Sequence, residues 1–530
     1  ANQHSGVKPN RVNLVGLTLA KACMLSAAPG TYPTSDLSGG DGARKPKHGG
    51  RADGSAQNLD LRVVLLTVLR RGNHGSKLRS RKDLLDLDDS WNSVIAAVAA
   101  SGFLKLDMTT KPGRDGVGGL GRLARHFVGR AVAEGGGTAI RWLKDEAARF
   151  RQWVVNGVPS SARRGGLAKF FRGPLRALVD SDEHALQMSY LGRALPKGSP
   201  AVCLKSLKAH RDALTSCHQT DPQILTRAFE FAKRWADGHL DRGPRVGHIP
   251  VKDSSCLEKS RREGGFTAAV SEARWEAEAS SGYLGYWDRA KTLFPEITPD
   301  AEWYGERLPA LATALRDVCV PSLADPPLRH EALAVPERGF KCRVVTKSPA
   351  RAIALGHWLR TWLYGGLQRD GRVSDVLHGD HEEAMKKAFR FGGRQPDRMF
   401  TAVSSDLTSA TDLFPLDLVK AVVDGLLSSR PLPPWAETTL RALTGPQWVS
   451  YPWGEGVLTS RGILMGLPTT WPLLCIVHLF WVDEAARAVP LRQRALVRNR
   501  TAICGDDLLG HWPLGAVDAY HSICSRTGAV

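Results

Sequence analysis

The chain has 530 residues, with 72 Lys+Arg against 53 Asp+Glu, a formal net charge of +19 and a hydrophobic fraction of 42%. Such a length and apolar content exclude wholesale disorder and allow about three or four lobes around buried cores. The charge excess favours a polyanionic partner, nucleic acid ahead of a membrane surface, because no basic amphipathic anchor stands out.

The longest apolar run, around Trp471 to Val482, is interrupted by His478. It falls short of the roughly 20 residues that cross a bilayer, so no membrane span is expected. Lys21 splits the mildly apolar stretch near the N-terminus, and a signal peptide is not indicated. The nine cysteines include no CxxC pair. That argues against a disulfide framework or a Cys-based zinc site and for a reducing compartment. The first residue is not Met, which suggests a fragment or a processed product.

Residues 30–58 are rich in Gly, Ser and basic residues and read as a flexible tail. From Leu59 to about residue 330 the pattern is mostly helical, with apolar residues three and four apart in segments such as 175–195 and 224–240. Gly116, Gly118 and Gly121 spell G-x-G-x-x-G ahead of a helix-like stretch ending at Glu134. A dinucleotide site needs a buried strand before the first glycine, and here the preceding TTKPGRD is turn chemistry, so a loop is expected. No P-loop string occurs.

Chemistry-bearing text begins near residue 335. Residues 340–347, FKCRVVTK, alternate as a strand, with Lys341 and Arg343 on one face and Cys342 and Val344 on the other. Two cations about 7 Å apart roughly match adjacent phosphates, and Lys347 follows on the same side. Taken alone, this is also how an ordinary solvated strand face reads. Residues 400–427 then read as strand, acidic turn and amphipathic helix, with Leu416, Val419, Val423 and Leu426 on one helix face. Asp406 ends the strand, where a carboxylate must be solvated, paired or bound to metal. Asp412 suits a helix N-cap.

Gly462, Gly466 and Pro468 form a loop of small and turn-forming residues opening a long apolar helix, from Thr469 or Thr470 to about Arg487. Gly505, Asp506 and Asp507 fall between two short apolar stretches, as at a hairpin tip. Side-by-side carboxylates are costly unless water or a cation compensates them. In this order the four elements supply what templated nucleotidyl transfer requires. Carboxylates on neighbouring strands can hold two Mg²⁺ ions about 3.5–4 Å apart, and a basic strand can neutralise a triphosphate.

The strings GFKCRVVTK, SSDLTSATD, SRGILMGLPTTWPLL and CGDDLLGHW resemble, in order, motifs F, A, B and C of the RNA-dependent RNA polymerases of positive-strand RNA viruses. They are similar in particular to the narnavirus and ourmia-like mycovirus group, related to the RNA-phage replicases. The resemblance covers roughly residues 335–512. It implies Asp406 and Asp506 as principal Mg²⁺ ligands (Mn²⁺ as a substitute), with Asp507 assisting, and all three as catalytic. It implies that Lys341 and Arg343 contact the triphosphate, joined by Lys347. Asp412 and Thr470 would lie near the incoming ribose, with Thr411 an alternative to Asp412, and Gly466 would flex the motif B loop. Where relatives carry a ribose-selecting Asn, His478 is the substitute considered.

The implied fold is α+β, a right-hand polymerase with an antiparallel palm sheet. It would comprise a flexible basic tail over 1–58, a helical N-terminal and fingers region over 59–330, fingers with motif F over 331–395, and a palm over 396–530. The palm would be truncated before motif D, with the thumb missing. The implied activity is RNA synthesis on an RNA template from NTPs, replicating a viral genome in a host cytoplasm or mitochondrion. A reverse transcriptase is the first rival, disfavoured by Cys504 where an aromatic-x-Asp-Asp hairpin is usual. The second is a non-catalytic RNA-binding protein, disfavoured by the intact carboxylates.

Overall fold

The computed structural model describes residues 61–529 apart from 72–75, 79, 104–108, 248, 250–251, 253, 281–311, 325 and 390–399. The expected tail over 1–58 lies outside the described residues. Within them the chain divides into two units, residues 61–206 with 334–343 and residues 207–333 with 344–529. No helix among the described residues is long and apolar enough to cross a membrane.

The first unit is built from α1 (Leu61–Arg71), α2 (Arg81–Ala100), α3 (Lys111–Glu134) and α4 (Gly136–Val155). Ser80 and Asp83 close a capping box at the start of α2. Thr110 accepts a hydrogen bond from Gly113 N, with Pro112 in the first turn of α3. The loop expected around Gly116, Gly118 and Gly121 is therefore corrected to mid-helix, and the turn chemistry before it is a helix start. Gly113, Gly116, Gly119 and Gly121 are buried. A Cβ at Gly119 would stand 2.2 Å from the Phe170 carbonyl oxygen. Close approach of the Phe170 backbone accounts for the glycine at 119.

The apolar text of 175–195 is broken into short helices, Ala177–Asp180, Asp182–Ser189 and Leu191–Ala194. Ser181 caps the second through His184 N, so a local side-chain bond competes with a continuous helix. The unit also holds the tip of a hairpin formed by β1 (Arg329–Glu337) and β2 (Lys341–Lys347). Gly339 N donates to Leu195 O at 2.8 Å, and Phe340 N to Pro196 O at 2.7 Å. Helix α5 (Pro200–Leu214) runs across the division.

The second unit contains α6 (Pro222–His239), α7 (Gly265–Ser280), α8 (Ala350–Arg369), β3 (Phe400–Asp406), α9 (Leu416–Ser429) and α10 (Pro434–Thr444). Two short strands, β4 (Trp448–Ser450) and β5 (Gly456–Leu458), precede α11 (Thr470–Arg487) and α12 (Leu491–Asn499). Then come β6 (Thr501–Cys504), β7 (Asp507–Pro513) and α13 (Leu514–Arg526). One sheet has the order β2-β1-β4-β5, with β1 and β4 parallel over Arg329–Glu331. The other, β3-β7-β6, is fully antiparallel.

Every residue of α11 from Pro472 to Asp483 is buried. A helix apolar on all sides must be surrounded by other elements, and α11 shares one core with α6, α9 and the β6–β7 hairpin. Leu418, Val419, Val422, Val423 and Leu426 give α9 its buried face. The core thus stands directly behind the antiparallel sheet and fixes where its strand ends lie.

Candidate active site

β3 and β7 pair from Phe400 opposite Pro513 to Asp406 opposite Asp507. β6 pairs with β7 as far as Cys504 opposite Asp507, which leaves Gly505 and Asp506 as a two-residue turn. Gly505 has φ 65°, the left-handed conformation that tight hairpin turns favour. A Cβ there would also stand 2.7 Å from Trp471 Nε1. Two independent constraints therefore require glycine beside Asp506.

Asp406, Asp506 and Asp507 meet at one end of this sheet, the first exposed and the other two half-buried. Directly opposite residues have Cβ atoms about 4.5–5.5 Å apart, and like charges so placed repel each other. Among the described residues no group of three or more His, Cys, Asp or Glu side chains is set to hold a metal ion unaided. Mg²⁺ does not require one. It is bound by one or two carboxylates and completes its shell with water and phosphate oxygens, and the Asp406–Asp507 pair beside Asp506 fits that donor set. Burial pushes the neighbouring Cys504 thiol up to about 12, with Asp507 and Asp506 acting in the same direction. Cys504 is therefore a neutral wall group.

The turn is held from behind. His478 Nδ1 lies 2.9 Å from Gly505 O, and its Nε2 2.7 Å from the Tyr520 hydroxyl. The rings of His478 and Tyr520 stack at 5.8 Å, and the Tyr520 hydroxyl oxygen lies 3.3 Å from Ser405 Oγ, beside Asp406. Burial lowers His478 to about 4, so the ring is neutral near pH 7. A carbonyl can only accept, so Nδ1 carries the proton and Tyr520 donates to Nε2. His478 is completely buried. The ribose-selecting role considered for it is corrected: it positions the hairpin from within the core. Trp471, stacked on Tyr364 at 5.3 Å, backs the same turn.

Asp412 does not cap a helix. α9 begins at Leu416 after Pro415, with no side-chain cap, and Asp412 sits in the preceding turn. Its carboxylate is 3.5 Å from Thr411 Oγ1 and 3.9 Å from His210 Nε2. Burial raises it to about 6, against the weaker pull of the Thr411 hydroxyl. Burial also lowers His210 to about 4, so this pair is not an ion pair near pH 7.

The turn at 411–414 is tied to the glycine loop. Gly462 N donates to Phe414 O at 2.7 Å and Ile463 N to Thr411 O at 2.9 Å. Buried Arg461 donates to the carbonyls of Leu413 and Gly528. Gly466 lies against β2, where an added Cβ would be 2.3 Å from Thr346 O. Thr470 is buried and donates to Leu464 O at 2.7 Å, closing the loop onto the start of α11. Its hydroxyl is thus engaged with the backbone.

Lys347 belongs to the same unit and pairs with Glu331 at 3.0 Å. Lys341 and Arg343 lie in the other unit, both on the exposed face of β2, with Arg343 Nε 3.2 Å from Glu337. Sequence reasoning missed Tyr520, Trp471 and Arg461. Tyr520 has no local signal, because its partners Ser405 and His478 are distant in sequence. Arg461 had one: a cation opening a loop of small residues inside an apolar stretch.

No family model matches the chain. It is 35% identical over 486 residues to the RNA-directed RNA polymerase of Saccharomyces 23S RNA narnavirus, covering 87% of this chain and 49% of that protein. To the RNA-directed RNA polymerase of Saccharomyces 20S RNA narnavirus it is 36% identical over 350 residues, 65% of this chain and 40% of that protein. The chain therefore spans about half the length of the first of these relatives and less of the second. Over most of its own length it is similar to narnavirus RNA-directed RNA polymerases.

Proposed function

We propose that the chain carries the catalytic carboxylates of a viral RNA-directed RNA polymerase that extends RNA on an RNA template. The observation that carries this reading is the register that sets Asp406 opposite Asp507, with Asp506 in the adjoining turn. Similarity to two polymerases of that name supports it. On this reading the β3-β7-β6 sheet with α9 and α11 is the palm, and Asp406, Asp506 and Asp507 hold Mg²⁺ or Mn²⁺. A divalent ion bound there would lower the pKa of a primer hydroxyl and balance charge on the leaving pyrophosphate. The protein's own contribution is placement: His478 and Tyr520 hold the turn, and Trp471 walls it. The 411–414 turn and the 462–470 loop, bonded to each other, supply Asp412 as a candidate ribose contact. Lys341, Arg343 and Lys347 are candidate phosphate contacts on β2.

Nucleotide choice tests the reading. With an RNA template and primer, the full chain should incorporate labelled NTPs and reject dNTPs. Preferential dNTP incorporation would replace this reading with reverse transcription. RNA binding without synthesis in either metal would replace it with a non-catalytic RNA-binding role.

A further inference from the structure

An open cleft in the second unit is lined by five arginines: Arg234 on α6, Arg372 after α8, Arg487 at the end of α11, and Arg494 and Arg498 on α12. Asp483 is the acidic residue in that lining. It accepts from Arg498 Nε at 2.7 Å and lies 3.4 Å from Arg487 Nε, and Arg487 also pairs with Glu484 at 3.1 Å. Arg372 is matched by buried Asp370 at 2.6 Å. Arg494 instead donates to the carbonyls of Val489 and Arg487, 3.2 Å each. Among the described residues neither Arg234 nor Arg494 has a carboxylate partner.

The local sequence deepens the imbalance. α12 reads LRQRALVRN, three arginines and no acid in nine residues. Arg494 and Arg498 are four apart on one face, where like charges repel. Leu491 stands at the rim, 79% exposed. Fold stability does not call for such an arrangement, whereas a ligand with repeated negative charges relieves it. The cleft is also distinct from the carboxylate hairpin. Arg487 lies nine residues along α11 from His478, which grips the Gly505 turn, a distance of about 13 Å.

We propose that this cleft binds the phosphodiester backbone of single-stranded RNA, as a holding site separate from the carboxylates. The choice of RNA as the polyanion rests on the polymerase reading, so binding and synthesis are read separately. Phosphate charge is common to RNA and to free nucleoside triphosphates, and the test distinguishes them.

The test is fluorescence anisotropy of the full chain with a labelled uridine oligomer of about 12 nucleotides, across a salt series. Arg234→Gln, Arg494→Gln and the double variant are compared with wild type. Lys386→Gln/Lys420→Gln is the control, losing the same charge at sites 63% and 72% exposed. The double variant should lower the slope of log K against log salt by about 1.4, and Arg234→Gln alone by about 0.7, with the control at the wild-type slope. Arg234 is exposed and has no carboxylate partner among the described residues, so its substitution tests the site without threatening the fold. Unchanged slopes in the cleft variants, or equal losses in the control, would overturn the proposal. Full displacement of RNA by ATP, with ATP binding lost in the double variant, would overturn it in favour of a triphosphate site. Asp506→Asn separates the two readings: cleft-dependent binding should persist in it while synthesis stops. A wild-type chain that binds through the cleft yet makes no RNA would count against the polymerase reading alone.

Discussion

His478 holds a main-chain carbonyl with one ring nitrogen and a tyrosine hydroxyl with the other, so its removal takes a buried partner from each, leaves the Tyr520 hydroxyl with Ser405 Oγ at 3.3 Å, and opens a cavity beside them. His478→Ala should cost about 2–5 kcal/mol, measured by urea unfolding, with kcat for incorporation falling more than KM changes. His478→Gln, which keeps a donor and an acceptor, should recover part of both; a loss under about 1 kcal/mol in the alanine variant would contradict this role. Asp412 behaves differently. Its folded value, about 6, lies above the ordinary carboxylate value of 3.8, so its charged form costs stability as pH rises through that interval. Asp412→Asn should therefore raise the thermal midpoint at pH 7.5, by at most about 3 kcal/mol of stability, and have little effect near pH 3.5. The placement of Asp406 at a strand end and of Asp506 and Asp507 at a hairpin was legible from the apolar stretches beside them. Asp412 was misread because Pro415 starts the helix in its place, and His478 because its partner in the Gly505 turn is 27 residues away.

At the scale of elements, the glycine loop and α11 act as one piece resting on β2. Gly466→Ala would drive a Cβ to 2.3 Å from the Thr346 carbonyl, a backbone atom that cannot swing aside. It should destabilise the fold by about 1–3 kcal/mol and slow incorporation. Gly365→Ala, in mid-α8 with nothing within 4 Å of the added carbon, should instead be neutral or stabilising by up to about 1 kcal/mol. Equal effects from the two in thermal melts would refute the packing argument. Strand β3, the β6–β7 hairpin, and α9 and α11 could be read from periodicity and turn residues. The glycine-bearing first half of α3 could not, because Gly119 answers to the Phe170 backbone, which local text does not reveal. The break at residue 181 follows from Ser181, whose side chain caps the next helix against the helical periodicity of 175–195.

For the molecule as a whole, buried histidines set the acid limit. Burial lowers His210, His330 and His357 to about 4 each. The unfolded chain takes up these protons near pH 6.5, whereas the folded chain resists them until about pH 4. Stability should therefore fall as pH drops across that window, visible as a declining thermal midpoint. A midpoint flat from pH 6.5 to 4 would contradict it. The division at 206/207 was not legible, because α5 runs through it as one helix. The charge excess was legible, but the gathering of five arginines in one cleft depends on α6, α11 and α12 coming together.

The central claim is that Asp406, Asp506 and Asp507 form one metal-dependent catalytic end of the antiparallel sheet. Its most direct test is RNA-templated NTP incorporation across a Mg²⁺ titration, comparing the wild-type chain with Asp406→Asn and Asp506→Asn variants of unchanged melting behaviour. The account predicts that each substitution lowers the rate by at least about a hundredfold and that synthesis vanishes without the divalent ion. Synthesis that persists near the wild-type rate in either variant, or in the absence of divalent metal, would contradict it.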